Sequence, residues 1–510
     1  MTATPQPLEE LAFFKDTWAG DVTLPFATAK RGTGSETTAA TIDVPNRYVQ
    51  DRRTFGPPPS YVDEIWDQGL DWGLIKELRA QASNEISQLR PNHASEEEEQ
   101  ALGRRVIAQI VDRMLAREMQ QGTDTSQMPV GLIQEAIFDA LFGLGRLQKL
   151  IDSKWIENIE IHGAGTVHIE LIDGTLCDGP AIADSNQELI EDLQFWAART
   201  KGNPRPFSPA NPTLNLALGE GARLAAMAWV TLQPIVTIRL HRMVDVGFDD
   251  LIAKGTLTPL MANLLSAVVQ SGSSIVVSGA QGAGKTTLCR ALCAALPPSE
   301  RIITFETDRE LHLEMMPDKH PRVFSVEARS GSGEFRPDGR EAGEFEIIQG
   351  LREALRHNAD RLLVGEVRGG EIIAMIQAMQ SGTGSISTTH ARSARDTYNK
   401  LVTCCLEVNG ITESYATRAI ASSINFVAFI KKVQITDESG RTHRVRRVTE
   451  IVALEQTTDG VAFSDVFTTS GADGIARAHT LPPYVEDLVE AGFDQHGFVV
   501  EANTHRREGK

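Results

Sequence analysis

Long apolar runs are missing from this 510-residue chain. No stretch approaches about 18 uninterrupted apolar residues, so no membrane-spanning helix is expected. Cysteine is scarce: five in all, an odd number, which argues against a disulfide framework and for a reducing compartment. Cys404 and Cys405 are adjacent and Cys289 and Cys293 lie one helical turn apart, so both pairs read as buried small apolar residues. A zinc site is disfavoured, because no Cys/His partner pair stands nearby at ligand spacing. The N-terminal MTATPQPLEELAFFKD has no basic region followed by an apolar core, and no secretory signal is expected. Positive charge is in deficit too: 50 Lys+Arg against 68 Asp+Glu leave a net charge of −18. A broad nucleic-acid surface needs a basic face to replace counterions, which this charge balance disfavours while leaving room for a local basic patch. What is present is ordinary globular material: 41% hydrophobic residues plus 42 glycines, enough for several cores and, by length, roughly three domains. The expectation is a soluble, multidomain, intracellular protein.

Residues 1–60 read as a weakly ordered tail, small and polar over ATAKRGTGSETTAATIDVPN and closed by three prolines at 57–59. The alternative there is an edge strand over 39–44. Residues 61–142 read as a small helical domain. Leu74, Leu78, Ala82, Ile86 and Leu89 recur at three- or four-residue steps, one buried stripe. Ser95 with Glu98 makes a capping box within an acidic run, so that run marks a helix start. Leu102, Val106, Ile110 and Met114 continue this helix, and a third is expected over 133–142, after Pro129 and up to Gly143. Residues 143–240 change to alternating segments such as ENIEIHG and TVHIELIDG, with a helix over 187–200 and further strands up to PIVTIRLHR: an α+β domain. A linker at 241–258 leads to a third domain at 259–435. Residues 436–510 are expected as a C-terminal β/α appendage, from RVTEIVALE and VAFSDVF to a helix in PPYVEDLVEAG.

The chemistry lies in the third domain. SIVVS at 274–278 is a short β-branched run, and Gly279, Ala280, Gln281, Gly282, Ala283, Gly284, Lys285, Thr286 and Thr287 follow at once. This fits G-x-x-x-x-G-K-[ST]. Glycines let such a loop turn its backbone N–H groups around a phosphate, the lysine reaches the β- and γ-phosphates, and the Thr286 hydroxyl ligates Mg²⁺. The helix beginning TTLCRALCAAL points its positive end at the same anion. The competing reading is a Gly-rich turn that merely links strand and helix. The pattern favours a nucleoside triphosphate site that binds Mg²⁺.

A second apolar run, RLLVGE, carries Glu366 at its carboxyl end, where ligands of open α/β sheets sit. A carboxylate there can orient the attacking water and accept its proton. Gly365 stands where an Asp is usual, so Glu366 is assigned as base rather than metal ligand; the bland alternative is a solvated strand-end acid. Between these segments RIITFETDRE reads as a strand ending in Glu306, Asp308 and Glu310, which can polarise water, hold the metal shell, or simply begin a polar loop. His390 follows SGTGSISTT and can sense the γ-phosphate, or be an ordinary structural histidine.

Taken in order, GAQGAGKTT, RIITFETDREL, ADRLLVGEVRGGE and GSISTTHARSARD resemble the secretion ATPase superfamily of type II and type IV secretion and type IV pili. The likeness is greatest to the Tad/Flp pilus assembly ATPases of the CpaF/TadA group. It runs from about Leu74 to Phe467, and implies an α/β fold: a RecA-like P-loop domain preceded by an α+β domain and a small helical domain. It also implies roles: Glu366 the catalytic carboxylate, Glu306 and Glu310 acidic-box positions, and His390 the second histidine of a histidine box. Arg223 in GEGARL and Arg239 in VTIRLHR resemble the phosphate-directed arginines of the α+β domain, able to stabilise charge as arginine fingers do; alone they would read as surface salt-bridge residues. Three departures stand out. SGTGS replaces the frequent TGHDGS and lacks its histidine, Thr307 replaces the usual acidic-box Asp, and Val230-Thr231 replaces a proline pair.

The resemblance implies a homohexameric, cytoplasmic motor docked on inner-membrane platform proteins, membrane-associated only through partners. Two other functions stay open: a type II or type IV traffic ATPase moving protein or DNA–protein cargo, and a nucleotide-gated structural adaptor with little hydrolysis. The appendage could cover the ring's outer face or bind a partner.

Overall fold

The computed structural model describes Pro59 and residues 69–508, apart from 92–93, 123, 200–205, 219–220, 241–244, 330, 332–336, 338–340, 383, 437–441, 459 and 470–473. The expected tail, with its alternative strand at 39–44, lies outside the described residues except for Pro59.

Three helices open the described chain: α1 (Trp72–Leu89), α2 (Glu96–Gln120) and α3 (Val130–Phe142). Asp71 caps α1 by accepting from the N–H groups of Gly73 and Leu74. Ser95 and Glu98 close the expected capping box of α2, satisfying two backbone donors reciprocally. Their shared core holds Ile75, Leu78, Ala82 and Ile86 from α1, with Val106, Ile110 and Ile137 facing them. The expected stripe is thus corrected at both ends. Ile75 is buried where Leu74 is half-buried, and Leu89, the last residue of the helix, is 60% exposed as the chain turns away.

A short helix α4 (Gln148–Asp152) leads into an antiparallel sheet of β1 (Ile156–His162), β2 (Val167–Leu171), β3 (Leu176–Asp178), β4 (Thr213–Leu218), β5 (Ala222–Met227) and β6 (Ile235–Leu240). Their order is β3-β2-β1-β6-β5-β4. Buried and open positions alternate along β4, β5 and β6, as expected of a sheet with one covered face. The cover is α5 (Asn186–Arg199), through Leu189, Leu193, Trp196 and Ala197.

After α6 (Phe248–Ala253) and α7 (Pro259–Gln270) comes the larger sheet. Its strands are β7 (Ile275–Ser278), β8 (Ile302–Glu306), β9 (Val323–Glu327), β10 (Arg361–Val367), β11 (Ile386–Thr389), β12 (Phe426–Thr436), β13 (Thr442–Thr457), β14 (Gly460–Thr469) and β15 (Ala476–Ala478). Between them run α8 (Lys285–Ala294), α9 (Ile347–Ala354), α10 (Ile372–Met379), α11 (Ala394–Leu406) and α12 (Glu413–Ser423), and α13 (Val485–Glu490) and α14 (Gln495–Glu508) follow. The strand order is β15-β14-β13-β12-β7-β11-β10-β8-β9, parallel from β12 to β9 and antiparallel from β12 to β15. Every residue of β7, β8 and β11 is buried, the mark of strands covered on both faces. Along β7 the side chains divide between two cores, Ile275 and Val277 on one face and Val276 on the other. All five cysteines are free and buried, four of them in these two cores, as their apolar reading requires. The described residues of 436–510, expected as an appendage, continue the same sheet: β13 pairs β12, β14 and β15 follow in turn, and Val466, Phe467 and Phe498 share a core with Leu288 of α8. This mixed α/β architecture places the carboxyl ends of β7, β8, β10 and β11 side by side.

Candidate functional site

The glycine loop leaves β7 at Ser278, whose hydroxyl accepts a 2.7 Å hydrogen bond from Thr397 of α11, and enters α8 at Lys285. Two glycines are forced. A Cβ on Gly279 would stand 2.1 Å from the Ile430 carbonyl oxygen, and Gly284, capping α8, has φ 100°, a conformation side chains resist. Ala283 is buried beneath the loop and Gln281 is exposed at its surface. The α8 terminus presents backbone N–H groups without intrahelical partners, the standard setting for an anion.

Lys285 is buried, its Nζ 3.3 Å from the Ala280 carbonyl and 3.2 Å from His390 Nδ1. Burial lowers its pKa to about 8, Glu366 pulling it up and Arg239 pushing it down. As the ammonium can only donate, Nδ1 of His390 accepts and Nε2–H donates to Glu366 Oε1 at 3.0 Å. Arg368 Nε donates to the other Glu366 oxygen at 2.7 Å. Burial alone would raise the Glu366 pKa, but the His390 hydrogen bond and the Arg368 charge outweigh it and hold the carboxyl down at about 2.

Glu306, at the end of β8, is prepared differently. It is 2% exposed and accepts 2.9 Å bonds from the N–H groups of Glu310 and Leu311, folding the acidic loop back on itself. Burial still pushes its pKa up to about 7. Glu310 accepts from the Thr286 hydroxyl at 3.0 Å, and Arg223 of β5 pairs with both Glu310 and Asp308. Gly365 now has a reason: a Cβ there would lie 2.8 Å from Glu306 Cγ, so the buried glutamate fills the room an aspartate would need.

The structure thus brings Lys285, Thr286, Glu306, Glu310, Glu366, His390 and Arg223 to one cleft. Arg239 lies directly opposite Arg223 across β5 and β6, with its charge felt at Lys285. Asp308 and Glu310 sit in the loop after β8, not on the strand. Two further residues escaped the sequence reading. Arg368 had a signal, a cation two places after the strand-end carboxylate. Arg290, 1% exposed, donates from Nε to the Leu311 carbonyl at 2.9 Å and also bonds the Glu310 carbonyl, tying the acidic loop to α8. Its signal was a lone charge inside an apolar helix. Lysine, helix N-terminus, hydroxyl and adjacent carboxylate together fit a nucleoside triphosphate with a divalent cation at Thr286. Among the described residues no helix is long and apolar enough to cross a membrane.

A family profile described as T2SSE, type II/IV secretion system protein, matches residues 143–506. Among similar proteins, a Mycobacterium tuberculosis protein named for conjugal transfer is 27% identical over 325 residues, 62% of this chain and 86% of the relative. The Bordetella pertussis type IV secretion system protein PtlH is 40% identical over 146 residues, 28% of this chain and 40% of PtlH. Among solved structures, the Legionella pneumophila ATPase DotB is 20% identical, with 60% of this chain and 79% of DotB covered at a TM-score of 0.43.

Proposed function

This chain belongs to the type II/IV secretion system protein family, and we propose that it is an Mg-ATP-hydrolysing motor for pilus assembly of the Tad/Flp type. One observation carries the enzymatic part: Lys285, His390 and Glu366 form a continuous hydrogen-bonded chain beside the phosphate loop. It joins the expected phosphate lysine to the expected catalytic carboxylate.

Bound Mg-ATP supplies the phosphoanhydride to be cleaved and the cation that neutralises its charge. Lys285 and the N–H groups at the start of α8 hold phosphate oxygens. Thr286, whose hydroxyl here donates to Glu310, would hold the cation through that oxygen. Glu366 orients the attacking water and accepts its proton. His390 and Arg368 hold its basicity down, and it would rise if Arg368 paired with phosphate oxygens instead. Arg223, paired here with the acidic loop, supplies positive charge from the six-stranded sheet, as arginine fingers do. Arg239 backs it from the neighbouring strand.

Six copies in a ring, docked on inner-membrane platform proteins at the cytoplasmic face, would turn domain motion into work on pilin subunits. The absence of a membrane-crossing helix among the described residues is in keeping with docking through partners. A second reading, type IV secretion or conjugal cargo, is favoured by the names of the M. tuberculosis relative and PtlH. Deleting the gene separates them: loss of surface pili supports the first, loss of secreted or conjugated cargo with pili intact the second.

Phosphate release from Mg-ATP tests the enzyme. Lys285→Ala should abolish turnover, a loss of at least about a hundredfold, and normal turnover in that variant would rule the site out. Wild-type protein that binds ATP tightly without releasing phosphate, alone or with its platform, would instead be the nucleotide-gated adaptor.

A further inference from the structure

The hairpin of β12 and β13 carries an arrangement that hairpin stability would select against. Lys432 stands directly opposite Arg446, and Lys431 opposite Arg447. Facing like charges destabilise a strand pair, so something near the hairpin must offset them. Arg446 shows what it is. Its Nε donates to the Gly282 carbonyl at 3.2 Å, at the bend of the phosphate loop, and its Nη2 lies 2.5 Å from Glu157 Oε1. Glu157 belongs to β1 of the six-stranded sheet, 289 residues away in sequence. Lys432 sits against the same bend, its Nζ 3.1 Å from where a Cβ on Gly282 would be. One guanidinium therefore touches the phosphate loop with one nitrogen and the smaller sheet with another. Its side chain is 36% exposed and that of Glu157 20%, so the pair is partly shielded from solvent.

We propose that Arg446 is a positioning residue that ties the shape of the phosphate loop to the placement of the six-stranded sheet, with Glu157 as its anchor. The inference rests on the reading of that loop as an ATP site. A glycine-rich loop loses much backbone freedom when it orders around an anion. A donor already fixed on the Gly282 carbonyl removes part of that loss before the nucleotide arrives. Glu157 holds the guanidinium in place, so a change in the smaller sheet is felt at the loop without any contact to the nucleotide. Arg446 grips a carbonyl and does not touch the reacting atoms, so its influence falls on nucleotide affinity more than on the bond-breaking step. Conversely, a nucleotide that reshapes the loop pulls on the smaller sheet, because coupling between two sites is reciprocal.

The test is a titration of full-length protein with a fluorescent ATP analogue and Mg²⁺, beside kcat and KM for phosphate release. Glu157→Gln and Arg446→Gln should each weaken binding about five- to tenfold, the scale of a partly buried charge-assisted contact. KM should rise in step and kcat stay within about twofold. The double variant should be no weaker than Arg446→Gln alone, because Glu157 acts only through the arginine. Arg446→Lys, which can reach one partner but not both, should fall between wild type and Arg446→Gln. Single variants that bind like wild type, or losses that multiply in the double, would overturn the proposal. Should Arg446→Gln fail to fold, Glu157→Gln and Arg446→Lys carry the same comparison. Lys285→Ala is the control that separates the two failures. If it binds like wild type, or wild type does not bind at all, the ATP reading falls and takes this inference with it.

Discussion

The ends of β8 and β10 lie side by side, and each delivers a glutamate to the same cleft, yet the two carboxyls are prepared in opposite ways. Glu306 has backbone N–H groups for partners and almost no solvent, and burial lifts its pKa to about 7. Glu366 has a histidine and an arginine, and the His390 hydrogen bond with the Arg368 charge overcomes burial and holds it at about 2. Residue type and strand-end position therefore do not assign a role; the neighbours do. Glu306 is enclosed and its lone pairs are engaged in shaping the acidic loop, so it organises. Glu366 stands in hydrogen-bonded line with Lys285, and on that placement its proposed role as base rests.

The largest effect that would break this contrast is on turnover. Glu366→Gln should lower phosphate release by about a hundredfold or more while ATP binding persists, the scale of losing a general base. Glu306→Gln should lose less, about tenfold, since Gln can still accept both backbone donors. Equal losses would erase the division of labour.

Next in size is a pH effect. The folded-state pKa of Glu306 lies above its ordinary 4.5, so the folded protein keeps that proton longer than the unfolded chain. Its contribution is fully present below 4.5 and is lost as pH rises through about 7, by about 3 kcal/mol in total. Glu366 has the opposite sign: its contribution is present above 4.5 and is lost only as pH falls toward about 2. Thermal unfolding of wild type and Glu306→Gln from pH 5 to pH 8 should show wild type losing stability more steeply. Parallel curves would mean that Glu306 is not held protonated.

The smallest effect sharpens the geometry. Gly365→Ala pushes a methyl against Glu306 Cγ and should cost about 1–3 kcal/mol, read as a lowered unfolding midpoint. In a Glu306→Ala background, where that contact is gone, most of the cost should vanish.

Local signals carried most of the site. The glycine loop, the buried strand runs before Glu306 and Glu366, and the hydroxyl-rich strand before His390 each lie within a dozen residues, where spacing reports chemistry directly. What stayed hidden depends on pairing across long separations. Arg290 finds its carbonyl acceptors 20 and 21 residues away, and Arg446 finds Glu157 at a distance of 289. That β13, β14 and β15 extend the phosphate-loop sheet follows from β12 settling beside β7, a choice that alternation along either strand does not encode. Helix periodicity told which face of α1 is buried but not where its cover ends, which is why Leu89 is exposed.

The division between the two glutamates is tested most directly by titrating their carboxyls. Carbon-13 NMR of protein labelled at the glutamate side-chain carboxyl, with Glu306→Gln and Glu366→Gln assigning the two signals, reads both protonation states at once. The account predicts one signal titrating near pH 7 that disappears in Glu306→Gln. It predicts another, still ionised at about pH 4, that disappears in Glu366→Gln. Two signals titrating together near 4.5 would contradict it.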